Sequence, residues 1–287
     1  MKKRPGLVHL IIIFCLSVFA FSTHSTASQK DGLLKVYFFD IGQGDSIFIE
    51  APNGNQVLID GGPGNKVLER LGEVMPFYDK EIDLVIMTHP DADHATGLLD
   101  VLKRYDVKNV VFSDITTDKS LYYLWKKVVT EEDANIIDPV AGKTIDLGNG
   151  TTLTIIHPLE SLIGQTVKDT NNNSVVSMLK YKDLEVLFTA DIELKKERKL
   201  LVEGIDLDAD ILKVAHHGSK TSTSDEFLSA VSPEIAVIQV GAKNRYGHPT
   251  QEVLKRLDNF GIKYYRNDLD GTIKLTSDGE KFQISRN

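Results

Sequence analysis

The chain is nearly free of cysteine. Its only one among 287 residues, Cys15, lies inside an apolar N-terminal stretch. A disulfide framework is therefore excluded, and so is a cysteine nucleophile or metal ligand in the rest of the chain. Phe14 before Cys15, and the mid-run position of Cys15, argue against lipoprotein processing. An excess of positive charge is also missing. Lysine and arginine number 33 against 41 acidic residues, for a net charge of −8. That balance disfavours non-specific nucleic-acid binding at long range but leaves room for a local basic rim. Low-complexity linkers and convincing internal repeats are absent too. With 41% hydrophobic and 26% charged residues, an ordinary globular composition, positions 33–287 read as one domain.

The N-terminus is of a different kind. Lys2, Lys3 and Arg4 precede LVHLIIIFCLSVFAF, and STHSTA supplies small residues ending at Ala27. Residues 1–27 fit a secretory signal peptide, with Ser25 and Ala27 matching the small-residue cleavage rule. An uncleaved membrane anchor is the alternative, because the run approaches the roughly 18 apolar residues that a spanning helix needs. Either way the remainder is expected outside the cytoplasm, secreted or on the extracytoplasmic face of a bacterial-type membrane. Cleavage would remove three basic residues and no acidic ones, deepening the net charge from −8 to −11.

Strand-like runs at 33–39, 45–51 and 56–60 are separated by IGQG and PNGN, which are turn chemistry. A helix is predicted over 65–75, a buried strand in EIDLVIMTH, a helix in ATGLLDVLKRY, a strand in VKNVVF and a helix over 119–130. Short strands occupy 134–157, and SVVSMLKYKDLEVLFTADIE reads as a hairpin turning at Lys182 and Asp183. Then come a helix at 193–203, a strand in ADILKVAHHGS, a helix at 224–231, a strand in EIAVIQVG and a helix from Pro249 to Phe260. Pro249 is placed in the first helical turn, where proline is tolerated. Strands at 262–266, 271–276 and 281–285 close the chain. Runs of strands followed by interleaved helices favour two packed sheets flanked by helices over one doubly wound sheet.

Four apolar strands end in a potential metal ligand. Asp60 ends QVLID, His89 follows DLVIMT, Asp191 ends VLFTAD, and His216 and His217 end DILKVA. Asp91, Asp93 and His94 follow His89 within the segment HPDADH. Two carboxylates and two imidazoles crowded into one loop would repel or waste desolvation unless a cation sat among them. If the strands are neighbours pointing the same way, their tips converge on one edge and can hold a divalent ion. GQGDS at 42–46 is not a phosphate loop, since it lacks the lysine and following helix of that motif. Gly42 and Gly44 are expected to allow a tight turn, with Gln43 and Asp45 tying loops together near the site.

DGG at 60–62, HxDxDH at 89–94, Asp191 in FTADIE and HHGS at 216–219 together resemble the metallo-β-lactamase superfamily, whose general pattern is HxHxDH. FFDIGQGDSIFIE, DTNNNSVV, ADILKVAHHGSKTSTS and NRYGHP are similar to the hydrolase-like domain of ComEC-type DNA-internalisation proteins and their free-standing relatives. The likeness covers roughly residues 33 to 280. No channel part accompanies it, so transport does not carry over. The resemblance implies a four-layer αββα sandwich with two divalent ions, Zn²⁺ or Mn²⁺. His89 and Asp91 would bind one ion, Asp93 and His94 the other, and Asp191 would bridge them. His216 or His217 would complete the second site, with His216 favoured because the equivalent position in relatives is followed by x-Gly-Ser/Thr. Asp60 would orient the loop ligands from behind.

Asn171, Asn172 and Asn173 stand where the superfamily commonly has a further histidine. Asn172 is accordingly taken as a supporting residue, with an asparagine carbonyl or water replacing the imidazole. His157 is a possible substitute, although a structural role at a strand end is the plainer reading. Carboxylate at Asp91 and the lost imidazole make the site richer in oxygen, which makes Mn²⁺ competitive with Zn²⁺. Paired ions ~4 Å apart suit phosphoester hydrolysis.

Asp93, His217 and His248 are the candidate catalytic groups, the histidines contacting substrate or protonating a leaving group. Lys213, Ser219, Lys220, Thr221, Lys243, Asn244 and Arg245 fall near the same edge, and Lys220 and Arg245 could bind a phosphate. The expectation is an exported metal-dependent hydrolase, phosphodiesterase or nuclease-like, acting on a phosphoester that could be DNA. Two alternatives stand: a hydrolase of a carboxylic ester, lactone or choline-phosphate envelope component, or a non-catalytic metal-bearing module that binds DNA or a partner. No stable protein partner is inferable.

Overall fold

The computed structural model describes residues 32–286, and the N-terminal segment 1–27 lies outside them. The first half runs β1 (Leu34–Phe38), β2 (Ile47–Glu50), β3 (Gln56–Ile59), α1 (Lys66–Val74), β4 (Glu81–Ile86), α2 (Ala92–Leu102), β5 (Asp106–Val111), α3 (Ser120–Glu132) and β6 (Asn135–Ile137). A second set follows: β7 (Thr144–Gly148), β8 (Thr151–His157), β9 (Val176–Tyr181), β10 (Leu184–Phe188), α4 (Leu194–Val202), β11 (Ile211–Lys213), α5 (Asp225–Val231), β12 (Ile235–Ile238), α6 (Gln251–Asn259) and β13 (Lys263–Arg266). The short α7 (Asn267–Asp270) then leads back to the first sheet through β14 (Ile273–Ser277) and β15 (Phe282–Arg286).

One sheet has the order β15-β14-β1-β2-β3-β4-β5-β6 and the other β13-β12-β11-β10-β9-β8-β7. The alternation of side chains along each strand builds the layers. Phe38, Ile47, Ile49, Val57, Ile59, Leu84 and Ile86 face Leu153, Leu179, Val186, Phe188, Ile211 and Val237 between the sheets. Their neighbours Tyr37, Phe48, Leu58 and Val85 point the other way, onto the helix layer that includes Leu71, Leu98 and Trp125. On the far side Leu187, Leu212, Ala236 and Ile238 pack on Leu200, Phe227, Leu228 and Leu257. The result is the αββα sandwich that the alternating runs of strands and helices imply. Among the described residues no helix is long and apolar enough to cross a membrane.

Where the sheets turn parallel, their strand ends line up. β3 pairs in parallel with β4 through Ile59 opposite Ile86, and β10 with β11 through Phe188 opposite Lys213. The carboxyl ends of parallel strands, where the chain must leave the sheet, are where α/β proteins collect functional groups.

The DGG turn after β3 has a packing reason. Gly61 N–H donates to the His94 carbonyl at 2.7 Å, and Gly97 N–H donates to the Gly62 carbonyl at 3.0 Å. A Cβ on Gly97 would lie 2.0 Å from the Gly61 carbonyl oxygen, so any side chain there would push α2 away from β3. Gly44, at φ +132°, is similarly confined: a Cβ would come within 2.0 Å of the Asp93 carbonyl oxygen.

Two local expectations change. Pro249 is not in the first turn of α6. It follows a cis His248–Pro249 bond, and Thr250 precedes the helix. Helix α2 starts at Ala92, three residues before the apolar pattern begins, so Asp93 and His94 lie on its first turn and Asp91 takes the N-cap position. That cap makes no side-chain bond to the helix because the Asp91 carboxylate is engaged elsewhere.

Candidate metal centre

Three sharp exits from strands, turned by four left-handed residues, bring the polar tips together. Asp60 after β3, Ala190 before Asp191, and His216 and His217 after β11 all have positive φ, between 46° and 57°. Left-handed backbone at residues other than glycine costs on the order of 1–3 kcal/mol each and persists where surrounding structure enforces it. Here it turns each chain end back across the sheet edge.

His94 is at the centre. Its Nδ1 faces Asp60 Oδ2 at 2.8 Å, and its Nε2 lies 3.2 Å from Asp191 Oδ2. Asp60 also accepts from Thr88 N–H at 2.8 Å and the Thr88 hydroxyl at 2.6 Å, so its carboxylate is spent on holding the 88–94 loop. His89 packs its ring 4.1 Å from that of His94 and is tied through Nδ1 to Thr88 Oγ1 at 3.0 Å. Asp93 Oδ2 lies 3.5 Å from His217 Nε2, and Asp191 Oδ2 lies 3.4 Å from the same nitrogen. His217 is locked from behind by the Gln239 carbonyl, 2.9 Å from Nδ1, and by Asp45 Oδ1 at 3.2 Å.

The order of the two adjacent histidines is the reverse of the sequence expectation. His217, not His216, turns its ring into the cluster and is buried. His216 faces outward, with Nε2 3.9 Å from Asp191 Oδ2 and Nδ1 3.4 Å from Glu193 Oε1. Consecutive left-handed residues swing the first ring out to the pocket and the second inward, which the spacing HHGS does not encode.

Asp91 is drawn away from the other ligands. Its Oδ1 takes an ion pair from Lys119 and a hydrogen bond from Thr170 Oγ1 at 2.7 Å, and stands 3.9 Å from His89 Nε2. Asn172 is buried but engaged with Asp169 and Glu193: its amide donates at 2.8 and 3.2 Å, and its carbonyl accepts from Glu193 N–H. It is Asn171 that lines the pocket over the cluster, together with Gln43, Asp91, Asp93, Asp191, His216, His217, Tyr246 and His248. That pocket holds about 150 Å³. Lys220 is exposed and does not line it, and Arg245 lines an adjoining hollow.

His157 plays a different part. It is buried away from the cluster, with Nδ1 2.8 Å from the Ser174 carbonyl. Burial and then the Lys196 ammonium push its imidazole down to about 4. Because the unfolded chain protonates near 6.5, stability held above that pH is lost as pH falls from 6.5 toward 4, by about 3 kcal/mol. A His157→Gln variant is expected to flatten that part of a urea-derived stability profile between pH 7 and 4. An unchanged slope would show that His157 titrates normally.

Lys213 is expected near this edge without a role, and Asp45 only as a tie between loops. The structure buries both. Lys213 Nζ pairs with Asp45, donates to the Ala190 carbonyl at 3.0 Å and lies 3.8 Å from Asp191 Oδ1. A lone lysine in the pattern DILKVA reads as an edge charge, and only its apolar neighbours signal burial.

The electrostatics suit a cation. Burial alone would lower the His94 and His217 imidazoles, but Asp191, with Asp60 for His94 and Asp45 for His217, holds both well above their ordinary value. Despite burial, which would raise it, the Asp191 carboxyl lies well below its ordinary value through His217 and His94. Protons on these rings occupy the field that a divalent ion would take, so metal uptake would release them. His89 is driven the other way, to about 4, by burial and then by His94, and presents a neutral nitrogen. His248, half-buried at the pocket, is lowered to about 4 by burial and then by His216 and His217.

The donor set passes a direct test of fit. His89 Nε2, His94 Nε2, His217 Nε2 and Asp191 Oδ1 are buried without a well-formed hydrogen bond among the described residues, the His94 and His217 nitrogens keeping only ionic contacts, with Asp191 Oδ2 and, for His217, Asp93 Oδ2. Buried polar atoms left in this way cost about 1–3 kcal/mol each unless something binds them. Among the described residues, four groupings bring ligand atoms within 4.8 Å of one another; two of them, Asp45, Asp60 and His94 and Asp45, Asp191 and His217, include the supporting carboxylates, and the other two are Asp93, His94 and His217, and His89, His94 and Asp191. Both are the nitrogen and oxygen donors that divalent transition metals take.

Comparison with known proteins agrees with this geometry. Residues 39–242 match the model of the metallo-beta-lactamase superfamily. The chain is 33% identical over 297 aligned positions to ComE operon protein 3 of Bacillus subtilis (strain 168), covering 95% of this chain and 37% of that one. It is 29% identical to competence protein ComA of Neisseria gonorrhoeae, covering 84% of this chain and 32% of that one. The chain thus spans about a third of the length of these relatives. Among solved structures, CmlA, a diiron beta-hydroxylase from Streptomyces venezuelae, superposes with a TM-score of 0.55 at 15% identity, over 85% of this chain and 54% of that one. That likeness speaks for the fold alone. With its αββα layers, the convergence of His89, Asp93, His94, Asp191 and His217, and a family match across most of its length, the chain belongs to the metallo-beta-lactamase superfamily, in company with competence proteins of the ComEC type.

Proposed function

We propose that this protein is an exported metal-dependent phosphodiesterase whose single hydrolase domain spans residues 33–287. The observation that carries the reading is the convergence of buried ligand atoms on His89, His94, His217 and Asp191, of which Asp191 and His217 open onto a polar pocket. Asp93, His94, His217 and Asp191 would hold one ion. His89 and Asp191, joined by Asp91 once it leaves Lys119, would hold a second and weaker one. Bound divalent ions supply Lewis-acid polarisation of a phosphoryl oxygen and activation of water.

The chain's own groups do the rest. Asp60, Asp45 and the Gln239 carbonyl fix the ring orientations of His94 and His217, the outer support on which metal ligands depend. His216 and His248 line the pocket and would contact the substrate. A neutral His248 suits accepting a hydrogen bond or proton better than delivering one. A phosphoester is favoured over a β-lactam because the donor set is rich in carboxylate, which suits hard ions such as Mn²⁺ beside Zn²⁺. Export accords with the signal-like segment 1–27, and DNA is the natural phosphodiester to test given the competence relatives.

Chelator-stripped protein is expected to lose cleavage of bis(p-nitrophenyl) phosphate and of DNA, and to regain it with Mn²⁺ or Zn²⁺. Elemental analysis should find one tightly held ion per chain and a second that dialysis removes. Failure of every divalent metal to restore cleavage of any phosphodiester would rule out this reaction class.

A further inference from the structure

The strand directions give the sandwich two distinct edges. β1 is antiparallel to β2 and β2 to β3, while β3, β4 and β5 run parallel. β1 therefore starts, at Leu34, on the edge from which β3 and β4 rise. The register agrees: Leu34 opposite Ser277 and Lys35 opposite Glu50 mark one end of the sheet. Ile47 opposite Ile59, and Ile59 opposite Ile86, mark the other, where Asp60 and His89 follow. The segment 1–27, with its apolar run LVHLIIIFCLSVFAF, thus joins the domain on the edge remote from the metal pocket.

That remote edge also carries Phe77, which at 88% is the most exposed large apolar side chain among the described residues, and Tyr78 at 65%. Their only ring contact among the described residues is with each other, edge to face with centroids 5.4 Å apart. They are the two central residues of a tight turn between α1 and β4, closed by Asp79 N–H donating to the Pro76 carbonyl at 2.9 Å. The Asp79 carboxylate accepts from the Gln56 amide at 2.8 Å and from Glu81 N–H at 3.2 Å, which pins the turn to the starts of β3 and β4. Helices α4 and α6 reach the same edge with exposed Val202 and Phe260. The charges near the turn cancel. Lys80 and Arg104 face Asp79 and Asp106, and Lys108 is taken by Glu81 and Asp83.

We propose that segment 1–27 stays on the chain as a membrane anchor and that this edge rests on the bilayer, with Phe77 and Tyr78 entering its interfacial layer. This rests on the export reading above and not on the bond that is cleaved. Residues 22–33, between the apolar run and β1, can reach up to ~40 Å when extended. With only β2 and β3 between β1 and β4, the turn lies ~15 Å along the edge from the point of attachment. A surface contact too weak to hold a free protein suffices for one already tethered, because the tether keeps its local concentration high. Tyrosine fits the interface, with its ring among the acyl chains and its hydroxyl among the headgroups. The length of β4 sets the metal pocket about 20 Å above the bilayer and facing away from it. Substrate then arrives from solution, and the headgroups of that bilayer stay out of reach.

The test uses the full chain, synthesised cell-free into phosphatidylcholine nanodiscs so that no peptidase removes the segment. Trp125 is the only tryptophan and is wholly buried, so a second one reports its own surroundings. Phe77→Trp is expected to emit further to the blue and to be quenched by lipids brominated near the headgroup. Leu269→Trp, exposed on α7 at the metal edge, should stay unquenched. Adding Tyr78→Ser to Phe77→Trp should lower the ratio of docked to undocked domain about tenfold, the effect of withholding one aromatic side chain from an apolar layer. Because the charges cancel, phosphatidylglycerol and high salt should leave the quenching unchanged. Tyr78→Trp is the second reporter should Phe77→Trp misfold. Equal quenching of Phe77→Trp and Leu269→Trp, no quenching of Phe77→Trp, or quenching that needs phosphatidylglycerol and vanishes in salt overturns the contact. A blue shift that grows with protein concentration and escapes the brominated lipid assigns the turn to a second copy, and also overturns it. In a bacterial host the exported chain should keep its full mass and sediment with membranes, and a soluble chain lacking residues 1–27 overturns the anchoring. Cleavage of bis(p-nitrophenyl) phosphate on the same nanodiscs separates the two readings. Cleavage without quenching leaves the hydrolase standing and this orientation fallen, and quenching without cleavage does the reverse.

Discussion

Asp191→Asn and Asp191→Ala are each expected to lose metal retention and phosphodiester cleavage together, kcat/KM falling by about 10³-fold or more. Asp191 contacts both candidate ion positions, lying beside His94 at 3.2 Å and His217 at 3.4 Å and falling in the same grouping as His89. A bound ion contributes several kcal/mol of transition-state stabilisation, and each ~1.4 kcal/mol is a factor of ten in rate. The asparagine variant keeps the shape of the side chain and removes its charge. In chelator it should lose stability, because His94 and His217 lose the carboxylate that pairs with them, yet still unfold in one cooperative transition while holding less metal by elemental analysis, which separates a lost ligand from a lost fold. Retention of full activity in either variant would mean that the ions, or the chemistry, lie elsewhere.

Lys213→Met carries the largest expected effect on stability. The ammonium is wholly buried between Asp45 and Asp191, and its removal leaves two carboxylates in the interior balanced only by His94 and His217. Breaking a buried ion pair from one side costs about 3–5 kcal/mol. For a domain of this size that corresponds to a fall in Tm of roughly 10 °C. Urea unfolding of the metal-free protein measures the loss. Saturating Mn²⁺ or Zn²⁺ should recover part of it, because the incoming cation meets the same carboxylates. A variant within about 1 kcal/mol of the parent would show that Lys213 is not what balances this cluster.

Both effects follow from one arrangement, a buried field of negative charge that the protein meets partly with a fixed lysine and partly with imidazoles able to exchange protons for metal. The same field explains why Asp91 engages Lys119 and Thr170. A carboxylate at the third place of HxDxDH would otherwise add to an excess of negative charge already present. On the proposed two-ion reading, that ion pair competes for the carboxylate that the weaker position beside His89 would need.

The amino-acid sequence by itself determined the layers and the edge. Period-two alternation in runs such as LLKVYFF and EVLF assigns each strand an inner and an outer face, and the glycines of DGG permit the close approach of α2 to β3. Asp and His at the tips of four apolar strands marked where a site would lie, because strand ends are where a sheet releases its side chains from packing. What the tertiary structure decided was direction and charge balance. The choice of His217 over His216 depends on two left-handed residues in succession. The pairing of Lys213 with Asp45 and of Lys119 with Asp91 depends on which loops meet across the sandwich. Spacing along the chain records which residues are near one another in sequence. The direction a ring points, and which charge faces it, are set by contacts between segments that only the folded sheets bring together.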